Sequence, residues 1–332
     1  HQYSITFGAK NFRDALADMY TKKWNRPIDP DKEIVVTCGG TEAMMAAMMT
    51  VCNPGDKVAV FSPFYENYGA DAILSGADPI YIPLVPPDFY YDRAILEQAF
   101  RDGAKALILC NPSNPCGKVF TREELMTIGE LALKYDAFVV TDEVYEHMVY
   151  APNKHVCMAS LPGMYDHTIT CNSLSKTYSI TGWRLGYACA PEVILKQMLK
   201  IHQYAIMCAP TTSQYAAVEA LRNGDEDVQH MRESYDQRRR FLINAFEEMH
   251  LDCFEPQGAF YMFPSIKRFG MTSEEFATRL LREEKVAVVP GTAFGDCGEG
   301  FLRVSYAYSL KSLKEALSRI KRFVDRLDGK TE

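Results

Sequence analysis

Apolar residues recur at helical spacing across positions 11–24 (NFRDALADMYTKKW), and then the period changes. Positions 33–37 (EIVVT) read as a short β-branched strand running into Cys38-Gly39-Gly40, from which a helix is predicted over 41–51. Asn53-Pro54-Gly55-Asp56 is a turn. Further strands are predicted at 57–61, 79–84, 104–110, 137–141 and 168–171, the last two apolar in the manner of strands buried on both faces. Helical spacing returns at 92–102. It returns again after Thr121, whose partner Glu124 stands three places on in capping-box position, and runs to about 135.

Strands and helices thus alternate from about 33 to 190, which predicts an α/β fold: a three-layer, mostly parallel sheet with helices on both faces. After 190 the pattern shifts. Helices dominate to about 250, including a long one from about 227. A strand-like run at 258–263, a helix at 273–284, strands at 286–289 and 301–305 and a last helix at 311–327 complete the chain. This mixture predicts a smaller C-terminal α+β domain, so the division is a large domain over 1–222 and a small one over 223–332. In parallel sheets of this kind ligands bind outside the carboxyl ends of the strands, so chemistry is expected there.

Composition narrows the picture. A chain of 332 residues fits two domains, and 47% hydrophobic with 24% charged residues excludes a disordered or collagen-like chain. A formal net charge of −7 leaves no basic surplus for a nucleic-acid backbone, so no nucleic-acid partner is expected. No run of eighteen apolar residues occurs, so no membrane span is expected either. The ten cysteines stand singly, with no C-x-x-C pair, which predicts reduced thiols and a cytoplasmic protein. The seven histidines do not cluster at ligand spacings, so no metal site is predicted. The chain opens on His1-Gln2-Tyr3-Ser4, which is not a signal peptide and lacks an initiator Met; residues upstream are expected.

Four strand ends carry unusual residues. Gly39-Gly40-Thr41-Glu42 lies at a strand-to-helix junction, where glycines admit close approach and free N–H groups favour an anion; alone it also fits a tight turn capped by Thr41. Asn111-Pro112-Ser113-Asn114-Pro115-Cys116-Gly117 follows an apolar strand and would hold Asn114 at the sheet edge, though it also fits a surface turn. Asp142-Glu143-Val144-Tyr145 ends a buried strand, where a carboxylate is costly unless it meets a metal, an Arg or a protonated ring nitrogen; a helix N-cap is the plainer alternative. The fourth segment, from Ser173 to Tyr187, sets Lys176 among Ser173, Ser175 and Thr177 straight after a strand. Arg184 follows eight positions on, between Gly182 and Gly186. A buried Lys loses its proton readily and can form Schiff bases, and an Arg with hydroxyls can clamp a phosphate.

This last segment closely resembles the lysine loop of the fold-type I pyridoxal-phosphate enzymes, specifically the class I/II aminotransferases, and the other three match the same family in its order. The resemblance runs from Tyr3 to the last helix. It implies that Lys176 carries the cofactor as a Schiff base and then shuttles the proton, and that Asp142 pairs with the pyridinium nitrogen. Tyr145 and Asn114 would hydrogen-bond the ring oxygen, and Tyr65, in Ser62-Pro63-Phe64-Tyr65, would stack on the ring. Gly40 and the backbone amides of Thr41 and Glu42, with Ser173, Ser175 and Arg184, would bind the phosphate. Arg303, in Phe301-Leu302-Arg303-Val304-Ser305, matches the arginine that takes the substrate α-carboxylate, beside Asn114 and Tyr65. Tyr3 matches a tyrosine that reaches the neighbouring subunit's phosphate, which implies a homodimer with shared active sites. The chain departs from the family in two ways: a further N-terminal arm and helix are absent or not covered, and Cys116 stands where Thr is commoner.

The resemblance implies an aminotransferase working by a ping-pong mechanism between an L-amino acid and a 2-oxo acid. A β-lyase on the same site, or the effector domain of an aminotransferase-like transcription regulator, shares the motifs. The lyase differs in the fate of the common carbanion, and the regulator in the sequence preceding His1. For the substrate, the helix TEAMMAAMMTV offers no second cation beside the cofactor, and Tyr65, Tyr68 and Tyr261 could line a pocket, which slightly favours a neutral or aromatic side chain over Asp.

Overall fold

The computed structural model describes residues 2–329. After α1 (Lys10–Trp24), the large sheet is built from β1 (Ile34–Thr37), β2 (Lys57–Ser62), β3 (Asp78–Val85), β4 (Tyr90–Tyr91), β5 (Ala104–Cys110), β6 (Phe138–Asp142), β7 (Thr168–Ser173) and β8 (Gly186–Cys189), in the order β1-β8-β7-β6-β5-β2-β3-β4. The pairs from β3 through β2, β5 and β6 to β7 are parallel; β8 enters antiparallel between β7 and β1, and β4 pairs antiparallel with β3. Because β1 and β7 both oppose β8, they run the same way, and the carboxyl ends of β1, β2, β5, β6 and β7 share one edge.

Alternation along the strands buries both faces. Ala59, Phe61, Leu107, Leu109 and Val139 meet Leu96 and Phe100 of α4 (Arg93–Arg101) and Leu125, Ile128 and Leu131 of α5 (Arg122–Lys134). The intervening Val58, Val60, Ile108, Val140 and Ile169 meet Ala43, Met44 and Met48 of α2 (Gly39–Val51) and Leu195 and Met198 of α7 (Glu192–Ala205). The Met-rich face of α2 is therefore chiefly core. The expected capping box of α5 is present, with the Glu124 N–H donating to Thr121 Oγ1 and the Thr121 N–H to Glu124 Oε2.

The remaining helices are α3 (Asn67–Leu74), the short α6 (Leu174–Thr177), α8 (Thr211–Asn223), α9 (Asp225–Glu248), α10 (Ser273–Glu284) and α11 (Leu310–Leu327). A second sheet orders β10 (Val289–Pro290), β11 (Leu302–Ser305) and β9 (Tyr261–Met262), all antiparallel. It shares a core with Leu242 and Phe246 of α9, Phe276 and Leu280 of α10, and Leu317, Ile320 and Phe323 of α11.

Three expectations shift. The helix expected from Thr41 begins two residues earlier at Gly39, with Cys38 in the cap position and no side-chain cap, so Thr41 does not cap it. The strand expected at 258–263 narrows to β9, because Gly258 packs under Pro112 and Ala259 takes a positive φ of 59°. β8 and α3 were not distinguished as elements in the sequence.

Candidate active site

A cavity of about 410 Å³ opens at the shared strand edge. Gly40, Thr41, Tyr65, Asn114, Asp142, Tyr145, Ser173, Ser175, Lys176, Arg184 and Arg303 all line it, although they come from six separate stretches of chain. Two expected residues do not. Glu42 turns away, its Oε2 accepting from the Cys38 N–H and its Oε1 lying 2.5 Å from His202 Nδ1. Tyr3 is 82% exposed at the molecular surface. Met44, Glu66, Asn67, Cys110, Val144 and Thr181 also line the cavity and were not singled out as site residues; each flanks or lies one helical turn from a motif residue, which is the signal that would have found most of them.

One end of the cavity is made of backbone and small hydroxyls. In a helix that starts at Gly39, the first N–H groups, including those of Gly40 and Thr41, have no partner inside the helix. Gly39 has φ +81°, and a Cβ there would stand 2.4 Å from Arg184 Nη2, so glycine is what lets the guanidinium lie against the helix start. A Cβ on Gly186 would stand 2.3 Å from the Gly39 backbone, so two glycines make this approach possible. Arg184 itself takes a left-handed φ of 51° and donates through Nη1 to Thr181 O at 3.0 Å. Ser173 caps α6, its Oγ accepting from the Ser175 N–H, and the two serine hydroxyls lie 2.8 Å apart.

The other end is aromatic and carries a carboxylate. Asp142 Oδ2 accepts from Tyr68 Oη at 2.8 Å and Oδ1 from the Val144 N–H at 3.1 Å. Burial pushes this carboxyl above the ordinary range, while the Tyr68 hydroxyl, the Val144 N–H and the Lys176 ammonium pull it back. Lys176 is shifted down, by burial and then by Arg184 and Arg303, against the pull of Asp142; its ammonium lies 5.5 Å from the Phe260 ring centroid. Tyr145 Oη and Tyr261 Oη are 3.0 Å apart. Arg303 donates through Nη1 to Asn114 Oδ1 at 3.0 Å and lies 4.6 Å from the ring centroids of both Tyr261 and Phe294.

Among the described residues, Lys176, Arg184 and Arg303 have no ion-pair partner within 4.0 Å. Three cations facing one cavity with the half-buried carboxylate of Asp142 fit a ligand that is anionic at two places and basic at a third. A larger groove of about 890 Å³, between Pro86–Phe89 and Asp252–Gln257, lacks this arrangement. Its Arg239 is already paired with Asp236 and Glu255.

Directly behind the cavity lies a cluster that histidine spacing did not reveal. Glu143, Glu146 and His155 hold ligand-type atoms within 4.8 Å of one another. Lys23 of α1 pairs with Glu146 Oε2 there, so the protein's own ammonium supplies the positive charge. Burial holds Glu143 up near 7 and His155 down near 3, whereas Lys23 and His147 hold Glu146 low in spite of its burial.

Residues 1–320 match the family model described as aminotransferase class I and II. The chain belongs to this family. Aminotransferases of this kind use pyridoxal phosphate as cofactor. An aspartate aminotransferase of Pyrococcus abyssi is 40% identical over 323 residues, spanning 96% of this chain and 83% of that protein. Aromatic-amino-acid aminotransferase 2 of Thermococcus litoralis is 38% identical over 323 residues, with the same two shares of 96% and 83%. The crystal structure of an aromatic aminotransferase from Pyrococcus horikoshii superposes with a TM-score of 0.95 at 38% identity, covering 98% of this chain and 88% of that one. These relatives favour the aminotransferase reading over the lyase and regulator alternatives, and the fold is that of fold type I.

The residues around the cavity fit the cofactor. A phosphate suits the free N–H groups of α2, Ser173, Ser175 and Arg184; a ring nitrogen suits the half-buried Asp142; an aldehyde carbon suits Lys176. Glycine at position 39 lets the Arg184 guanidinium lie against the start of α2, which sets both on the same end of the cavity.

Proposed function

We propose that this aminotransferase moves the amino group of a neutral or aromatic L-amino acid to a 2-oxo acid, in two ping-pong half-reactions, with Lys176, Asp142 and Arg303 in the principal roles. One observation carries the reading: three cations without carboxylate partners among the described residues and one half-buried carboxylate converge on a single cavity. Bound pyridoxal phosphate supplies an electron sink for the carbanion left when the substrate Cα loses its proton.

The chain's own residues do the rest. Lys176 Nζ, eased toward the neutral amine by burial, would carry the cofactor and then take the Cα proton and pass it on to the cofactor. Asp142 stays charged against the ring nitrogen. Tyr145 and Asn114 hydrogen-bond the ring oxygen and Tyr65 covers the ring face, while Gly40, Thr41, Ser173, Ser175 and Arg184 hold the phosphate. Glu42 supports this end indirectly, tying the start of α2 to His202. Arg303, held flat between Tyr261 and Phe294, offers two parallel N–H donors to the substrate α-carboxylate.

Selectivity for a neutral or aromatic side chain follows from charge. Lys176, Arg184 and Arg303 are the cavity's cations among the described residues, and each has a role already; Glu66 at the wall opposes a second carboxylate. Tyr65, Tyr68, Tyr261, Met44 and Val144 offer an apolar lining. Two copies complete the enzyme. Tyr3, Trp183 and Tyr215 are exposed near the start of α8, where Ser4 N–H donates to Thr211 Oγ1 and Ser213 Oγ to Trp183 O, and Tyr204 and Met207 lead into it. This apolar surface suits a homodimer in which Tyr3 reaches the other subunit's phosphate end. Ten free thiols suit the reducing cytoplasm, and no described helix is long and apolar enough to cross a membrane.

The test is a panel of amino donors with 2-oxoglutarate on the purified protein, which should absorb in the visible and lose that band on borohydride reduction, with the adduct on Lys176. Phenylalanine or tyrosine should exceed aspartate in kcat/KM. A strong preference for aspartate overturns the substrate reading, and an adduct on another lysine overturns the site.

A further inference from the structure

Asp142 is held from two sides before any ligand arrives. The Val144 N–H is local, two residues along the same turn. The Tyr68 hydroxyl is not: it comes from α3, on the far side of β5 and β2 in the sheet, and is 2% exposed. Its ring meets that of Tyr65 edge-on at 5.7 Å, so one short stretch of α3 and the turn before it brings both the aromatic wall and the hydroxyl on Asp142. A carboxylate oxygen that accepts a phenol hydrogen bond is fixed in rotation and favoured as the anion.

We propose that Tyr68 is a positioning residue for the aminotransferase reaction: its hydroxyl locks the Asp142 carboxylate as an anion with its remaining lone pairs turned to the cavity. The proposal rests on the reading of Asp142 as the partner of the cofactor's ring nitrogen. Tyr68 does not touch the reacting atoms; it acts through Asp142.

The groups around Asp142 give this hydroxyl its importance. From α3, Asp71 opposes the Asp142 charge, with one oxygen buried and unpartnered. The half-buried Cys110 at the end of β5 and the buried Cys171 on β7 stand on either side, and Tyr65 and Tyr145 complete the wall. Among the described residues Lys176 is the one cation acting on the carboxylate, and it is the group that the reaction engages. The hydroxyl of Tyr68 is therefore the one side-chain donor on Asp142 that stays in place through the cycle.

The test compares four proteins: wild type, Tyr68→Phe, Asp142→Ala and the double variant, with Asp142→Asn as a reference. Tyr68→Phe should lower kcat about tenfold with donor KM changed less than twofold, the loss expected of one hydrogen bond to a charge. It should also raise the acid limb of pyridoxal-phosphate binding, followed by visible absorbance without substrate, by about one pH unit. In the Asp142→Ala background the same change should alter cofactor Kd and kcat by less than twofold, because the carboxylate it served is gone. Thermal stability is measured in all four, and a loss shared by both Tyr68→Phe proteins is packing that cancels from the cycle. An effect of equal size in both backgrounds, or an acid limb that does not move while Asp142→Asn is crippled, overturns the proposal for Tyr68 alone. Wild-type turnover in Asp142→Asn overturns the reading of Asp142 beneath it.

Discussion

Asp142 and Glu143 are consecutive residues that face two kinds of charge cluster. On the cavity side of Asp142, Lys176, Arg184 and Arg303 have no carboxylate of their own among the described residues. Behind it, Glu143 and Glu146 sit with Lys23, and Asn172 Nδ2 donates to Glu146 Oε1 at 3.0 Å and to Tyr20 Oη at 3.1 Å. Asn172 Oδ1 in turn accepts from the Ser173 N–H at 2.7 Å. The inner cluster pairs Glu146 with Lys23 and joins α1, the turn bearing Tyr145 and the start of the lysine loop, with Glu143 Oε2 and the His155 ring nitrogens left without hydrogen-bond partners among the described residues. The outer one is open and waits on a ligand. Charge left unmatched beside a cavity marks binding, and charge matched in the interior marks architecture.

That contrast can be broken from either side. Lys176→Ala should lower turnover by about four orders of magnitude while thermal stability stays within a few degrees of wild type, as a general acid–base residue with no structural partner should. Stopped turnover together with a large fall in Tm would mean that Lys176 belongs with the architectural charges. Asp142→Asn should cost about two to three orders of magnitude in kcat with a weaker visible band, since it removes the anion that keeps the ring nitrogen protonated.

Lys23→Met should do the reverse. It should lower stability by about 2–3 kcal/mol in urea unfolding, less than the loss of a wholly buried pair because Lys23 keeps part of its surface in water, while kcat of the folded protein changes little. The double variant Lys23→Met/Glu146→Gln should recover part of that loss; a kcat effect without a stability effect would erase the distinction between the clusters. Arg303→Lys should raise KM about tenfold for amino donor and 2-oxo acid alike, with cofactor affinity unchanged, because a lysine cannot make the paired contact to a carboxylate.

The smallest effect sharpens the comparison. Asp71 is buried on α3, and burial, with the Asp142 charge, pushes its carboxyl up to about 7 from 3.8. Between about pH 4 and 7 the folded chain thus binds more protons at this group than the unfolded chain, so its contribution to stability falls as pH rises. Asp71→Asn should flatten the decline in Tm across that window by a degree or two, and an unchanged slope would mean that Asp71 is already ionised.

Much of this was legible because each buried strand is a compact apolar run followed by its chemistry. The chain from Phe138 to Tyr145 carries both, and so does the chain from Thr168 to Lys176. The capping box at Thr121 and the helix over 273–284 were readable for the same reason: their signals are local. What escaped was small or distant. β8 is four residues of Gly-Tyr-Ala-Cys, and its antiparallel insertion shows only in its partners. α3 begins shortly after Pro63 and contains Gly69, which masks its periodicity. The hydroxyl of Tyr68 on Asp142, and Lys23 on Glu146, join residues far apart in sequence, and nothing in either local pattern announces the other. Glu42 was expected through its backbone amide, and the contact of its carboxylate with His202 joins residues far apart in sequence in the same way.

The closeness of Gly39, Arg184 and Gly186 has a consequence for the growing chain on the ribosome. The glycine turn emerges early, and the segment that seats against it emerges only after six of the sheet's other strands. At ordinary rates of synthesis that delay is on the order of ten seconds. Throughout it β1, four apolar or β-branched residues, lacks its one strand partner in the finished sheet, β8, and has only the Val36 N–H bonded to Phe7 O along its edge. The nascent protein therefore carries an open, sticky strand edge until Gly186–Cys189 leaves the exit tunnel, and this is where premature association with other chains would begin.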